Sequence, residues 1–243
     1  MSSAVKNSFS TQRVTQLSKR YIAIKKNMIL VGLAAMASII IFIKAALIYY
    51  GDASHNLGPS IFMFAFVIFQ YAGYAFTSTM FNELNSAGSA PQFYTLPATT
   101  FEKLTAAWLI SYVYYTIVGL IALYVLSILS GMSASWFFSI DTLNELWTYT
   151  IFQSVFLFGA VYFKANNFLS TIVAMLAALV SLGLIFLLLT NLVAGFEEWT
   201  FTIPTTLLAS TATNIVSSIL FTLIVSALFI WFAYLRLKNR QIA

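Results

Sequence analysis

Apolar residues in this chain come in long runs, and the polar residues gather between them. Six windows read as helices long enough to cross a hydrocarbon layer: Met28–Tyr49, Pro59–Phe81, Ala106–Ser130, Leu146–Phe163, Phe168–Leu189 and Ile215–Leu235. A core about 30 Å thick takes about 20 residues of helix. The fourth window is the shortest and holds Gln153, whereas the fifth has no charge at all. Ahead of the first window the pattern changes. Across residues 8–27, Val14, Leu17, Tyr21 and Ile24 recur at three and four residues, and Arg13, Lys19, Arg20, Lys25 and Lys26 fill the other faces. That spacing predicts a basic amphipathic helix lying in the membrane interface, held by apolar burial and by anionic lipid. The plainer reading of the same residues is a charge cluster that only sets orientation. The run after it is too long for a cleaved signal peptide and reads as an anchor.

Composition sets the solvent. The chain is 60% hydrophobic and 8% charged, against about 25% charged in an average soluble domain. The fold class is therefore all-α: a polytopic membrane protein with six transmembrane helices in residues 28–235. Residues 1–27 form the N-terminal segment and 236–243 a basic tail. The net charge of +5 does not indicate a nucleic-acid partner, because the basic residues flank membrane spans, where they set orientation. Six of them precede the first span, Arg236, Lys238 and Arg240 follow the last, and Lys103 and Lys164 mark the second and fourth loops. The odd-numbered loops carry Asp52, Asp141, Glu145, Glu197 and Glu198 instead. Both termini and the second loop are thereby assigned to the cytoplasm.

The second loop, Asn82–Thr105, is longer than a helix reversal requires. The second helix is predicted to finish over Phe81–Ala87. Gly88, Ser89 and Pro91 then act as breakers in a polar stretch with no helix pattern. Phe93, Tyr94 and Leu96 read as exposed, and Leu96-Pro97 closes the excursion. Thr99 and Glu102 stand at capping-box spacing, so a helix is predicted to start at Thr99 and run into the third span. Thr142 and Glu145 repeat that spacing before the fourth. Trp136, Phe137 and Phe138 suit an interface, and "GFEEWTFTIP" before the sixth span is long enough for a short re-entrant excursion.

Polar residues inside the spans are few. Lys44 lies near the end of the first span, where its stem can snorkel outward. Gln70 and Gln153 read as interhelical hydrogen bonders, at roughly 1 kcal/mol each. Asn166 and Asn167 read as loop. Ala174, Ala177, Ala178 and Ser181 form a small-residue stripe that suits close helix packing. Tyr71, Tyr74, Tyr112, Tyr114 and Tyr115 read as packing, with a translocation surface (Gln70, Tyr74, Tyr112, Tyr115) as the alternative. No reaction centre assembles. There is no cysteine, a single histidine (His55), no GxSxG, HExxH or GxxxxGK[ST] motif, and no acid within a span. The chain is read as a non-enzyme that binds no cofactor.

Glu83 followed by "LPATTFEKLTAAWL" (Leu96–Leu109), between the second and third of six spans, resembles the membrane subunits of type-2 ATP-binding-cassette exporters. The motif is short, and the architecture covers nearly the whole chain. The resemblance implies a homodimer or heterodimer of permease subunits in a bacterial cytoplasmic membrane. Each subunit would dock on a separate cytoplasmic nucleotide-binding ATPase, which holds the ATP and Mg2+. It makes Glu83, Phe93, Tyr94, Leu96, Pro97, Glu102 and Lys103 the coupling loop, and Arg13, Leu17, Arg20 and Tyr21 the connecting helix. A membrane scaffold that docks some other cytoplasmic protein, without transport, is the alternative.

Overall fold

A computed structural model describes residues 9–50, 58–85, 88–129, 137–194 and 211–242. Among these the chain is helical and has no strand. Its elements are α1 (Thr11–Tyr50), α2 (Gly58–Ser78), α3 (Asn82–Asn85), α4 (Ala90–Thr95), α5 (Thr100–Trp108), a π-helical segment (Leu109–Tyr114), α6 (Tyr115–Leu129), α7 (Ile140–Tyr162), α8 (Asn167–Ala194) and α9 (Thr211–Ile242). Helix runs through most of each of the six apolar windows. Among the described residues three stretches are long and apolar enough to cross a membrane: Thr100–Val125, Asn167–Leu189 and Ser217–Arg240. The expected features at Asp52, His55, Trp136, Glu197 and Glu198 lie outside the described residues, as does the side chain of Lys44.

Several boundaries differ from the sequence pattern, each for a local reason. Helix runs unbroken through residues 27 and 28, so the amphipathic segment and the first apolar window form one 40-residue helix, about 60 Å long. The second helix does not continue to Ala87. It stops at Ser78, a turn follows in which Met80 N–H bonds to Thr77 O, and α3 is a separate single turn. Pro91 does not break structure but sits in the first turn of α4, where a missing N–H costs nothing. At α7 the cap is Ser139, whose Oγ accepts from Thr142 N–H, so Thr142 lies inside the first turn and not at the cap. Residues 236–242 continue α9 as helix.

Two apolar clusters hold the bundle. One gathers Val14, Leu17 and Tyr21 of α1 with Phe81, Phe93, Leu104, Leu157 and Leu237 from the α2–α5 connection, α5, α7 and α9. The apolar face of the amphipathic segment is thus buried in protein over these three residues, not in lipid; Ile24 alone of the predicted face stays exposed. The second cluster joins Phe62, Phe66, Phe69 and Tyr74 of α2 to Leu123 of α6 and to Tyr149 and Phe156 of α7. Here the rings stack: Tyr74 lies 4.9 Å from Phe156 and 5.4 Å from Tyr149, and Phe69 lies 5.2 Å from Tyr115.

The α7–α8 turn is fastened by Asn167. It is not a loop residue: its amide is buried and donates to Ser78 O, Asn82 Oδ1 and Ala160 O. Asn166 precedes it in the left-handed region (φ 48°), which asparagine tolerates. Helix α8 joins the second cluster through its first turns, by Phe168, Ile172 and Met175. Farther along, Ala174, Ala177, Ala178 and Ser181 are exposed, so their small-residue stripe does not bring a neighbour close within this chain.

Gly159 shows how tightly α7 and α8 meet, since a Cβ there would collide with the buried Thr171 side chain. Gly159→Ala is expected to cost about 1–3 kcal/mol by overpacking. Gly183→Ala, where an added Cβ meets nothing within 4 Å, is expected to gain about 0.5–1 kcal/mol from helix propensity. Thermal unfolding of the two variants in detergent compares them directly.

Candidate functional site

The connection from α2 to α5 is a folded unit rather than a loop, and its organising group is Glu102. Thr99 Oγ1 accepts from Glu102 N–H and Glu102 Oε2 accepts from Thr99 N–H, completing the predicted capping box. The carboxylate also receives a second chain segment. Oε1 accepts from Ser10 N–H at 2.7 Å and from Arg13 Nη2 at 2.8 Å, and Arg13 Nε lies 3.1 Å from both oxygens. The Glu102 side chain is wholly buried while Arg13 keeps 26% exposure. A carboxylate removed from water needs such a full set of donors to stay ionised.

Two turns along α1 the pattern repeats. Arg20 Nη2 donates to Glu83 Oε2 at 2.8 Å, which ties α1 to α3. Residues seven apart share a helix face, so Arg13 and Arg20 address the connection together. Lys25 Nζ adds a bond to Thr79 O at the end of α2. Leu17, between the two arginines, and Tyr21, next to Arg20, are both buried. Burial pushes the Tyr21 hydroxyl above its ordinary value; Glu83 adds to the effect and Arg20 opposes it.

Lys103 secures α4. Its ammonium is buried, donates to Phe93 O at 2.9 Å and lies 4.8 Å from the Phe93 ring centroid. A cation on the last carbonyls of a helix is favourably placed. Phe93 itself is buried, with its ring edge-on to Phe81. The expectation that Phe93 is exposed is therefore wrong: α4 turns it inward, and the lysine ten residues later holds it there. Leu96 is half-buried. Tyr94 and Pro97 are exposed, and so are Phe9 and Phe101, whose rings meet edge-on at 5.7 Å. The outer face of the unit is thus aromatic and its inner face is ionic and apolar.

The other predicted group, Gln70, Tyr74, Tyr112 and Tyr115, sits in and around the second cluster. Gln70 Nε2 donates to Glu145 Oε2 at 3.0 Å, Tyr112 OH pairs with Thr150 Oγ1, and Tyr115 OH donates to Phe69 O. Gln70 and Tyr74 are buried, so these side chains pack α2, the π-helical segment and α7 together. Gln153 behaves as expected for an interhelical bonder, reaching Ser111 Oγ at 3.2 Å. Nothing in the sequence marked the π-helical turn from Leu109 to Tyr114, although such turns are rare and recur at functional sites. It lies between the connection and α6. The pairings Arg13–Glu102 and Arg20–Glu83 were also not legible, though all four residues stood out singly. Alternating basic residues on α1 and isolated acids in the loop were the available signal. The tail residue Arg240 likewise reaches Asn85 Oδ1 and Tyr162 O, and Arg236 lies over the Tyr162 ring.

No protein family, curated protein or solved structure matches this chain.

Glu102→Gln leaves the Arg13 guanidinium without its anion and is expected to cost about 3 kcal/mol or more. Arg13→Ala is expected to cost a similar amount, and the double variant less than the sum. Amide exchange over residues 11–21 reads this, because loss of the pair frees the start of α1. Equal exchange in the wild type and both single variants would show that Glu102 does not hold α1.

Proposed function

We propose that this chain is the membrane subunit of an ATP-driven exporter. In this reading it has six spans and cytoplasmic termini, lies in a bacterial cytoplasmic membrane and works as a homodimer or heterodimer. The observation that carries the reading is α4: a short helix with Tyr94 exposed, fixed from behind by Lys103, beside the exposed Phe9 and Phe101. Exposed aromatics on a rigid support are the residue type that dominates protein contacts. The resemblance of Glu83 and "LPATTFEKLTAAWL" to the coupling region of type-2 exporters supplies the kind of partner, a nucleotide-binding ATPase with its own ATP and Mg2+.

In this reading α4 is the coupling helix. A push on α4 passes through Phe93 O and Lys103 to α5, and through Glu102 and Arg13 to α1. Movement of α5 then reaches the π-helical segment and the start of α6, where Ser111, Tyr112 and Tyr115 contact α7 and α2. A π turn carries one extra residue, and a shift in its position changes the facing of those side chains without breaking the helix. Gln70, Tyr74, Tyr112 and Tyr115 form the layer that would rearrange around a transported molecule.

The test separates docking from folding. Phe93→Asp is unsuitable, since it places a charge in the core. Tyr94→Asp and Phe101→Asp alter exposed rings, and each is expected to weaken ATPase capture about tenfold or more while the chain still inserts and unfolds at the wild-type temperature. Stimulated ATP hydrolysis by the reconstituted complex should fall in parallel. Unchanged hydrolysis in both variants would reject the coupling reading. Capture of a partner that hydrolyses no nucleotide would favour a scaffold instead.

A further inference from the structure

A groove of about 260 Å³ opens between α1, α2 and α6, and its walls include Met28 and Gly32 of α1, Ala75 and Phe76 of α2, and Tyr115 and Gly119. Small residues make the space: a Cβ built on Gly32 meets nothing within 4 Å. Two hydroxyls belong to the wall: that of Tyr115 donates to Phe69 O, and Tyr114 is exposed. The rest of the lining is apolar. The groove is larger than the roughly 150 Å³ apolar cavity known to take benzene, so a stretch of hydrocarbon chain fits.

What distinguishes this groove from a bare apolar patch is the charge at its end. Lys25, Met28, Ile29 and Gly32 are spaced three, four and seven residues along α1, which puts them on one face. Lys25 Nζ donates to Thr79 O, and Thr79 Oγ1, which donates to Phe76 O at 2.8 Å, lies 3.7 Å from Met28 Sδ, so the ammonium is held at the groove's edge. An ammonium has three donors, and the carbonyl takes one. Lys26 is exposed beside it. From Lys25 to Gly32 is about 10 Å along the helix, the scale of a lipid from phosphate to upper chain. Cations next to an apolar slot at a membrane surface complement an anionic amphiphile.

We propose that this groove binds one phospholipid, with an acyl chain against Gly32, Ala75 and Phe76 and the headgroup phosphate on Lys25 and Lys26. The site is independent of any transport activity. The ligand is a membrane lipid rather than free phosphate, because the apolar slot gives phosphate no contact.

Native mass spectrometry of the full chain, solubilised with phosphatidylglycerol or phosphatidylcholine, tests this. The wild type is expected to retain one lipid and to prefer phosphatidylglycerol. Gly32→Phe fills the slot and should lose that lipid, Gly32→Ala should keep it, and Lys25→Gln should lose the preference between headgroups. If Gly32→Phe fails to fold, a photoactivatable acyl phosphatidylglycerol on the wild type decides, with labelling expected in the peptides spanning residues 28–32 and 72–76. Labelling confined to other helices overturns the proposal. So does a folded Gly32→Phe that holds lipid as the wild type does, or one whose only change is loss of self-association, which would mark the groove as a contact between copies.

Discussion

A carboxylate that loses its water must be given donors, and Glu102 draws them from two segments far apart in the chain. Its own helix start supplies Thr99 N–H, while Ser10 N–H and the Arg13 fork arrive from about 90 residues earlier. The first turn of α1 is therefore placed by a charge on α5. Once α1 is placed, Arg20 meets Glu83 and Lys25 meets Thr79, so the α2–α5 connection is held along its length. Lys103, the next residue after Glu102, points the other way and fixes α4. Two adjacent charged residues, facing opposite sides of one helix start, organise the whole end of the bundle. Each would be costly alone in an apolar setting; Glu102 is offset by donors from two segments, and Lys103 by the Phe93 carbonyl and ring.

Local features of this unit were legible and distant ones were not. The Thr99–Glu102 box could be read because both partners lie within one turn, and residue spacing alone sets their geometry. Arg13 could be seen as basic but not as the partner of Glu102, since no pattern within α1 points to a residue on α5. Phe93 was misjudged for a related reason. Polar neighbours suggested an exposed loop, yet six residues sufficed for a helical turn that sends Phe93 inward and leaves Tyr94 outside. Ser139 displaced Thr142 as the cap of α7 because two hydroxyls compete three residues apart, and the earlier one took the helix start. Asn167 was read as loop because two asparagines beside a lysine look solvated. Its role depends on carbonyls of α2 and α7 that become available only in the packed bundle.

Hydropathy identifies the solvent of a helix but not its neighbour. Lipid tails are as apolar as leucine, so an apolar stretch facing lipid and one facing protein have the same composition. Helix α8 illustrates this: every residue from Leu176 to Leu189 is exposed. Helix α2 looks similar in sequence but buries Phe62, Phe66 and Phe69. The difference lies in where glycine permits approach. Gly119 faces Phe69 on α2, and Gly73 faces Tyr149 and Tyr115, so rings from three helices interleave there. Gly32 and Gly183 face open space. Glycine in this chain thus marks both the closest contacts and the widest gaps, and only the packed structure distinguishes them.

The unbroken course of α1 links the clamp to the groove. Its first turns carry Arg13 and Arg20, and the same continuous helix presents Gly32 to the groove beside α2 and α6. A helix transmits rotation and translation along its axis because its hydrogen bonds resist local bending, and no proline interrupts α1. A displacement imposed at Glu102 therefore reaches the groove wall some four turns later. Under the coupling reading, the partner that presses on α4 also changes the width of the groove. A lipid filling it would conversely resist motion of the clamp, because linkage between two sites on one rigid element is reciprocal. The Arg13–Glu102 pair is then the joint that couples the two: without it α1 still runs past the groove, but its first turn loses its ion pair to α5.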